Sequence, residues 1–198
     1  SWSWQDGTDG AFTKDKFEDL GNGYSKVTAI TRIGSELNGL KAVVIQIIGG
    51  GTDYSGAIYL DNIKVYQNTS TGDDELPEVT SLKWSFDDSL KECDGWNFAG
   101  VWAHQGNPEV SYDKNIGGGS IKLKLDFTND TEASWSEVKL ENKFKEKISI
   151  NEYNVLTYDF IYNPSEMTMG SFKTKLYSED AIDTYDDIKL ENLEDIDR

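Results

Sequence analysis

Hydrophobic and polar positions alternate along much of this chain, and the alternation is most informative over residues 54–66. There Ile58 and Leu60 alternate with Tyr59 and Asp61, the period-two pattern of a strand with one buried face. Ile63 and Val65 then continue the apolar set one residue out of phase. A slip of one residue turns side chains to the opposite face unless a bulge absorbs it. The pattern therefore predicts a bulge at Asp61-Asn62, with a carboxylate held at a kinked strand. Residues 68–81 are polar and contain Gly72, Asp73, Asp74, Glu75 and Pro77, which reads as a linker.

Further strands follow from the same reasoning. Residues 24–33 place Val27, Ala29, Thr31 and Ile33 on one face, and residues 40–48 form a nearly continuous β-branched run suited to a strand covered on both faces. Residues 11–20 read as a loop or a single strand, and residues 34–39 as a connection with room for one helical turn. Beyond the linker, residues 82–86 alternate, residues 87–97 read as a loop or short helix, and residues 98–103 and 109–112 are short strands. Residues 120–127 alternate most cleanly, with Ile121, Leu123, Leu125 and Phe127 inward and Lys122 and Lys124 outward. Residues 135–144 turn Val138, Leu140 and Phe144 inward and Trp135, Glu137 and Lys139 outward. Residues 155–162 and 172–177 complete the set. The acidic tail, residues 180–198, has only Ile182, Ile188, Leu190, Leu193 and Ile196 as apolar anchors. About ten strands with Gly, Asn and Asp turns, and no internal repeat, predict an all-β antiparallel β-sandwich.

Composition narrows the function. Hydrophobic residues are 37% of the 198, low for a globular chain, yet aromatics reach 12% with six Trp and ten Tyr. Aromatic richness separates this chain from disordered ones and points to a folded domain with a polar, aromatic-bearing surface. A net charge of −17 excludes the basic footprint that nucleic acid or anionic membrane would need. A neutral partner or a divalent cation remains compatible, as does a merely solubilising role. The lone Cys93 forms no intramolecular disulfide, and no apolar run is long enough to span a membrane.

Trp135 is the sharpest candidate for chemistry, because an indole on the solvent face of a strand leaves a large apolar plate in water. Trp96 lies in a turn-rich setting that also exposes a ring, and Trp2, Trp4 and Tyr185 stand in polar surroundings. Plates flanked by polar residues such as Glu137 and Lys139 suit a pyranose chain, whose C–H face packs on the ring while its hydroxyls take hydrogen bonds. The alternative is that such rings are core residues, and Trp84 and Trp102, in apolar alternations, read that way. Catalysis has less to draw on: His104 is the single histidine, no Gly-x-Ser-x-Gly elbow is present, and paired acids occur by composition alone. For Ca2+, Asp61 at the bulge and Asp87 or Asp88 after the 82–86 strand are the hard-oxygen donors, against the alternative of solvated acids near strand ends.

Residues 94–102 (DGWNFAGVW), the turn and strand at 117–123 (GGGSIKL) and residues 134–140 (SWSEVKL) together resemble the opening part of family 27 carbohydrate-binding modules, and residues 54–66 resemble their closing strand. The resemblance implies a secreted, non-catalytic jelly-roll module that holds a β-1,4-mannanase on mannan, galactomannan or glucomannan. It implies a row of three aromatics, two falling on Trp96 and Trp135 and the third on Tyr185, Trp4 or Trp2, and it strengthens a structural Ca2+ at Asp61. The family's segments occur here in rotated order, with its closing part at 1–67 and its opening part at 82–198. A circular permutation joined by residues 68–81 accounts for this and gives a monomer; the rival account is a fragment straddling two tandem modules. Other function classes left open are a β-sandwich glycanase or lyase, a binder of another β-1,4-glycan, since stacking plates do not encode the epimer, and a protein-binding adhesion module.

Overall fold

A computed structural model describes residues 10–33, 37, 39–49, 51–67, 79–87, 95–101, 108–128, 136–148, 154–178, 182–184 and 187–190. Among the described residues there are thirteen strands: β1 (Gly10–Gly21), β2 (Tyr24–Arg32), β3 (Leu40–Ile48), β4 (Ser55–Gln67), β5 (Val79–Trp84), β6 (Trp96–Val101), β7 (Glu109–Asp113), β8 (Ser120–Asp126), β9 (Glu137–Ile148), β10 (Asn154–Tyr162), β11 (Ser171–Tyr177), β12 (Ile182–Thr184) and β13 (Ile188–Lys189). They form two sheets. The first runs β1-β2-β10-β4-β8-β7 with β5 also on β4, and the second runs β12-β11-β3-β9-β6 with β13 also on β11. The neighbours pair antiparallel, so the expected antiparallel β-sandwich is what forms. Among the described residues no helix is long and apolar enough to cross a membrane.

The alternating sets meet between the sheets. Val27 of β2, Ile58 and Leu60 of β4, Leu123 of β8 and Phe160 of β10 pack in one core with Ile45 of β3, Leu140 of β9 and Phe172 of β11. The Phe160 and Phe172 rings stack across the interior, with centroids 4.0 Å apart and planes 2° from parallel. Beside them the Thr31 hydroxyl donates to Thr174 Oγ1 at 3.2 Å and Thr174 donates to the Tyr158 hydroxyl at 3.3 Å. These buried hydroxyls thus satisfy one another across the two sheets.

The phase slip in β4 is a bulge. Lys64 pairs with Thr157 and Asp61 with Asp159, so two residues of β4, Asn62 and Ile63, stand opposite Tyr158 alone. Asn62 takes φ 48°, a left-handed conformation that Asn tolerates better than most residues. The extra residue lets Leu60 and Ile63 both face the core. The bulge also marks a change of neighbour. Ser55–Leu60 of β4 pairs with β8, whereas Ile63–Gln67 pairs with β5 on the same edge.

Strand β3 is buried on both faces as expected, with Val43, Ile45 and Ile47 in the core and Ala42, Val44 and Gln46 buried on the other side. Elsewhere the boundaries move. Strand β5 begins at Val79, inside the expected linker, and β6 begins at Trp96, two residues ahead of the expected Phe98. Of the tail's anchors, Ile188 and Leu190 are buried while Ile182 is exposed; Leu193 and Ile196 lie outside the described residues. Segments 1–67 and 82–198 interleave in both sheets: β10 lies between β2 and β4, and β3 lies between β11 and β9.

Candidate functional site

Of the expected aromatic platform, Trp96 is corrected. It opens β6, pairs with Asn142, and shares its face with Phe98, which pairs with Leu140. That puts its ring inward, only 2% exposed, edge-on to Trp84 with centroids 5.5 Å apart. Its indole N–H has no hydrogen-bond partner among the described residues. The turn residues before it suggested exposure, but the strand that starts at Trp96 sets the direction of the ring. Trp84 is partly buried against the core and stacks on Phe144, in line with its expected packing role. Trp135, Tyr185, Trp4, Trp2, Trp102 and His104 lie outside the described residues.

Glu137 and Lys139 do come together, on the outer face of the second sheet. The register sets Glu137 beside Ile48 and Lys139 beside Gln46 on β3, while Lys173 flanks Gln46 from β11. The Gln46 Nε2 donates to Glu137 Oε2, and the Lys139 ammonium pairs with the other oxygen of the same carboxylate. Gln46 is 3% exposed, and its Oε1 has no hydrogen-bond partner among the described residues. A buried acceptor of this kind costs about 1–3 kcal/mol while it stays unpaired. Glu137 and Lys139 are themselves half-buried, as is Lys173, which pairs with Asp187 at 2.9 Å. The face therefore carries carboxylate, carboxamide and ammonium groups in a partly recessed row across three strands, offering donors and acceptors to a polyhydroxylated ligand.

Gln46 and the β11 lysines were not anticipated. Gln46 is the single polar residue in the apolar run 42–48, and Lys173 and Lys175 alternate with Phe172, Thr174 and Leu176. Both signals are visible in sequence, but neither reveals that β3 lies between β9 and β11.

Of the expected cation ligands, Asp61 is buried and Asp87 is exposed. Asp61 (2% exposed) and Asp159 (7%) face each other across β4 and β10 on the outer face of the first sheet. Asn62 holds the pair. Its backbone N–H donates to Asp61 Oδ1 at 2.6 Å, and its Nδ2 donates to Asp61 Oδ2 at 3.2 Å and Asp159 Oδ2 at 3.0 Å. The Thr28 hydroxyl donates to Asp159 Oδ1 at 2.5 Å. The Gly117 turn closes over them; at φ +66° it carries no Cβ, and one there would stand 2.9 Å from Asp61 Oδ2. Asp87 is exposed at the rim, and among the described residues no three His, Cys, Asp or Glu side chains converge as a metal-ligand set. Burial pushes the Asp61 carboxyl from 3.8 up to about 7, opposed by the Asn62 N–H and by Lys26 and reinforced by Asp159 and Asp87. The Lys26 ammonium is already paired with Glu18 at 2.7 Å. Two buried carboxylates with so little opposing charge are hard-oxygen donors suited to a divalent cation. Asp159, unnoticed in the sequence, is the carboxylate that the β4–β10 register sets directly opposite Asp61. Comparison with protein-family models, curated proteins and solved structures returned no match.

Proposed function

We propose that this chain is a secreted, non-catalytic carbohydrate-binding module that takes a β-1,4-mannan, galactomannan or glucomannan chain and holds an attached mannanase on it. The observation that carries the reading is the row of buried Gln46 and half-buried Glu137 and Lys139 on the outer face of the second sheet, with its carboxamide oxygen unpaired among the described residues. Such a row suits hydroxyl-rich ligands, which donate and accept at once. The sequence resemblance to mannan-binding modules supplies the choice of sugar, and Trp135, two residues ahead of Glu137 in sequence, is the stacking ring in this reading; Trp96 is not. A structural Ca2+ at Asp61 and Asp159 belongs to the same proposal, supported by their burial beside one another.

Circular permutation remains the preferred account of the segment order. The antiparallel pairing of β4 with β5 supports it, because it brings the end of the family-like closing strand to the start of the family-like opening segment. The test of function is affinity electrophoresis in gels containing galactomannan or glucomannan. Retarded migration is expected, with Glu137→Ala restoring mobility by weakening binding about 1.5–3 kcal/mol, the value of a charged hydrogen bond. Unchanged mobility of the native chain in both gels overturns the proposal, and release of reducing ends from either polysaccharide would favour a glycanase instead.

A further inference from the structure

Among the described residues, ion pairing on the outer face of the second sheet takes up three lysines and passes over the half-buried Lys175. Lys139 pairs with Glu137, Lys173 with Asp187, and Lys143 with Glu141. The ammonium of Lys175, which stands beside Val44 in the register between β11 and β3, makes no ion pair or side-chain hydrogen bond among the described residues. Lys175 is nonetheless half-buried. Burial lowers its pKa from the ordinary value, and the neighbouring Lys139 and Lys173 charges lower it further, against the weaker pull of Glu137 and Asp187. Acids are not scarce, since Asp and Glu number 36 against 19 Lys and Arg. A partly desolvated ammonium facing two others is unfavourable unless an anion completes it.

The rest of the face states which kind of anion. Gln46 lies one strand over from Lys175 and two residues along from its partner Val44, so with strands about 4.8 Å apart and about 3.4 Å per residue the two positions are about 8 Å apart. An anion reaching Lys175 is therefore within about 10 Å of the Gln46 carboxamide, which bonds Glu137 in turn, and one molecule carrying both carboxylate and hydroxyls can span that separation. Resting on the glycan reading above, we infer that Lys175 anchors the carboxylate of an acidic sugar unit on the polysaccharide crossing this face, so that the module prefers uronate-bearing chains to neutral ones.

The experiment compares galactomannan with the same polymer oxidised at C6 to carboxylate, measuring affinity by titration calorimetry for the native chain, Lys175→Gln and Lys124→Gln. Lys124 is an exposed lysine on β8 of the other sheet. The native chain is expected to bind the oxidised polymer about five- to tenfold more tightly, the range of one charge-assisted hydrogen bond. That ratio is expected to fall towards one in Lys175→Gln and with added salt, and to persist in Lys124→Gln. A ratio near one in the native chain, or one that survives Lys175→Gln, overturns the inference while leaving neutral-glycan binding intact. Binding of neither polymer rejects the glycan reading together with it.

Discussion

Replacing Asp61 by Asn tests the electrostatics of the buried acid pair. The carboxyl of Asp61 stands at about 7 in the folded chain against an ordinary 3.8. Between pH 4 and 7 the folded state therefore keeps a proton that the unfolded chain has released, and stability falls as pH rises through that window. At about 1.4 kcal/mol per pH unit the rise corresponds to about 4 kcal/mol, present below pH 4 and lost above pH 7. For a domain of this size each kcal/mol moves the melting temperature by about 2–4 °C, so the loss amounts to roughly 10 °C. Asn keeps an oxygen to accept the Asn62 N–H and removes the titrating charge. Differential scanning calorimetry in chelator at pH 4.5 and pH 8 is the assay, read as the melting temperature of Asp61→Asn minus that of the native chain. This difference cancels most of the general self-repulsion of a chain with net charge −17. It should grow by roughly 10 °C from the lower to the higher pH. Excess calcium at pH 8 should reverse it by raising the native chain alone. A difference that stays flat with pH, or shrinks, refutes the reasoning about the pair.

Two further outcomes follow from the packing. Trp96→Ala should lower stability by about 3–5 kcal/mol in urea unfolding, the range for a buried Trp, and leave glycan affinity of the folded protein unchanged; lost affinity at unchanged stability would return this ring to the surface. Gly119→Ala should cost at least about 2 kcal/mol, because Gly119 sits at φ +145° and a Cβ there would collide with the Phe86 carbonyl oxygen and stand 2.8 Å from the Tyr112 hydroxyl; an unfolding midpoint equal to that of the native chain would contradict the tight turn.

Period-two alternation was enough to read the sandwich and even the β4 bulge, because a strand with one buried face writes its geometry into every second residue. Ile58, Leu60, Ile63 and Val65 could reach one core only if an extra residue was absorbed between them, as Asn62 does. Local pattern fails where direction is set by distant pairing. Trp96 looked exposed because the residues before it favour a turn, yet its pairing with Asn142 turns it inward. Asp159 carried no signal as a partner of Asp61, since 98 residues separate them and only the β4–β10 register joins them. Gln46 was hidden in an apolar run, and its role emerges only when β9 brings Glu137 alongside. Sites assembled across strands are products of topology, whereas cores are products of periodicity.

The interleaving of the two chain segments has a consequence for autonomy. Strand β10 has its hydrogen-bonding neighbours, β2 and β4, within residues 1–67, while β3 has its own, β9 and β11, within residues 137–177. Each segment is thus a comb whose gaps are filled by the teeth of the other. Neither segment keeps both neighbours of its own inner strand, so each is expected to need the other in order to bury its apolar face.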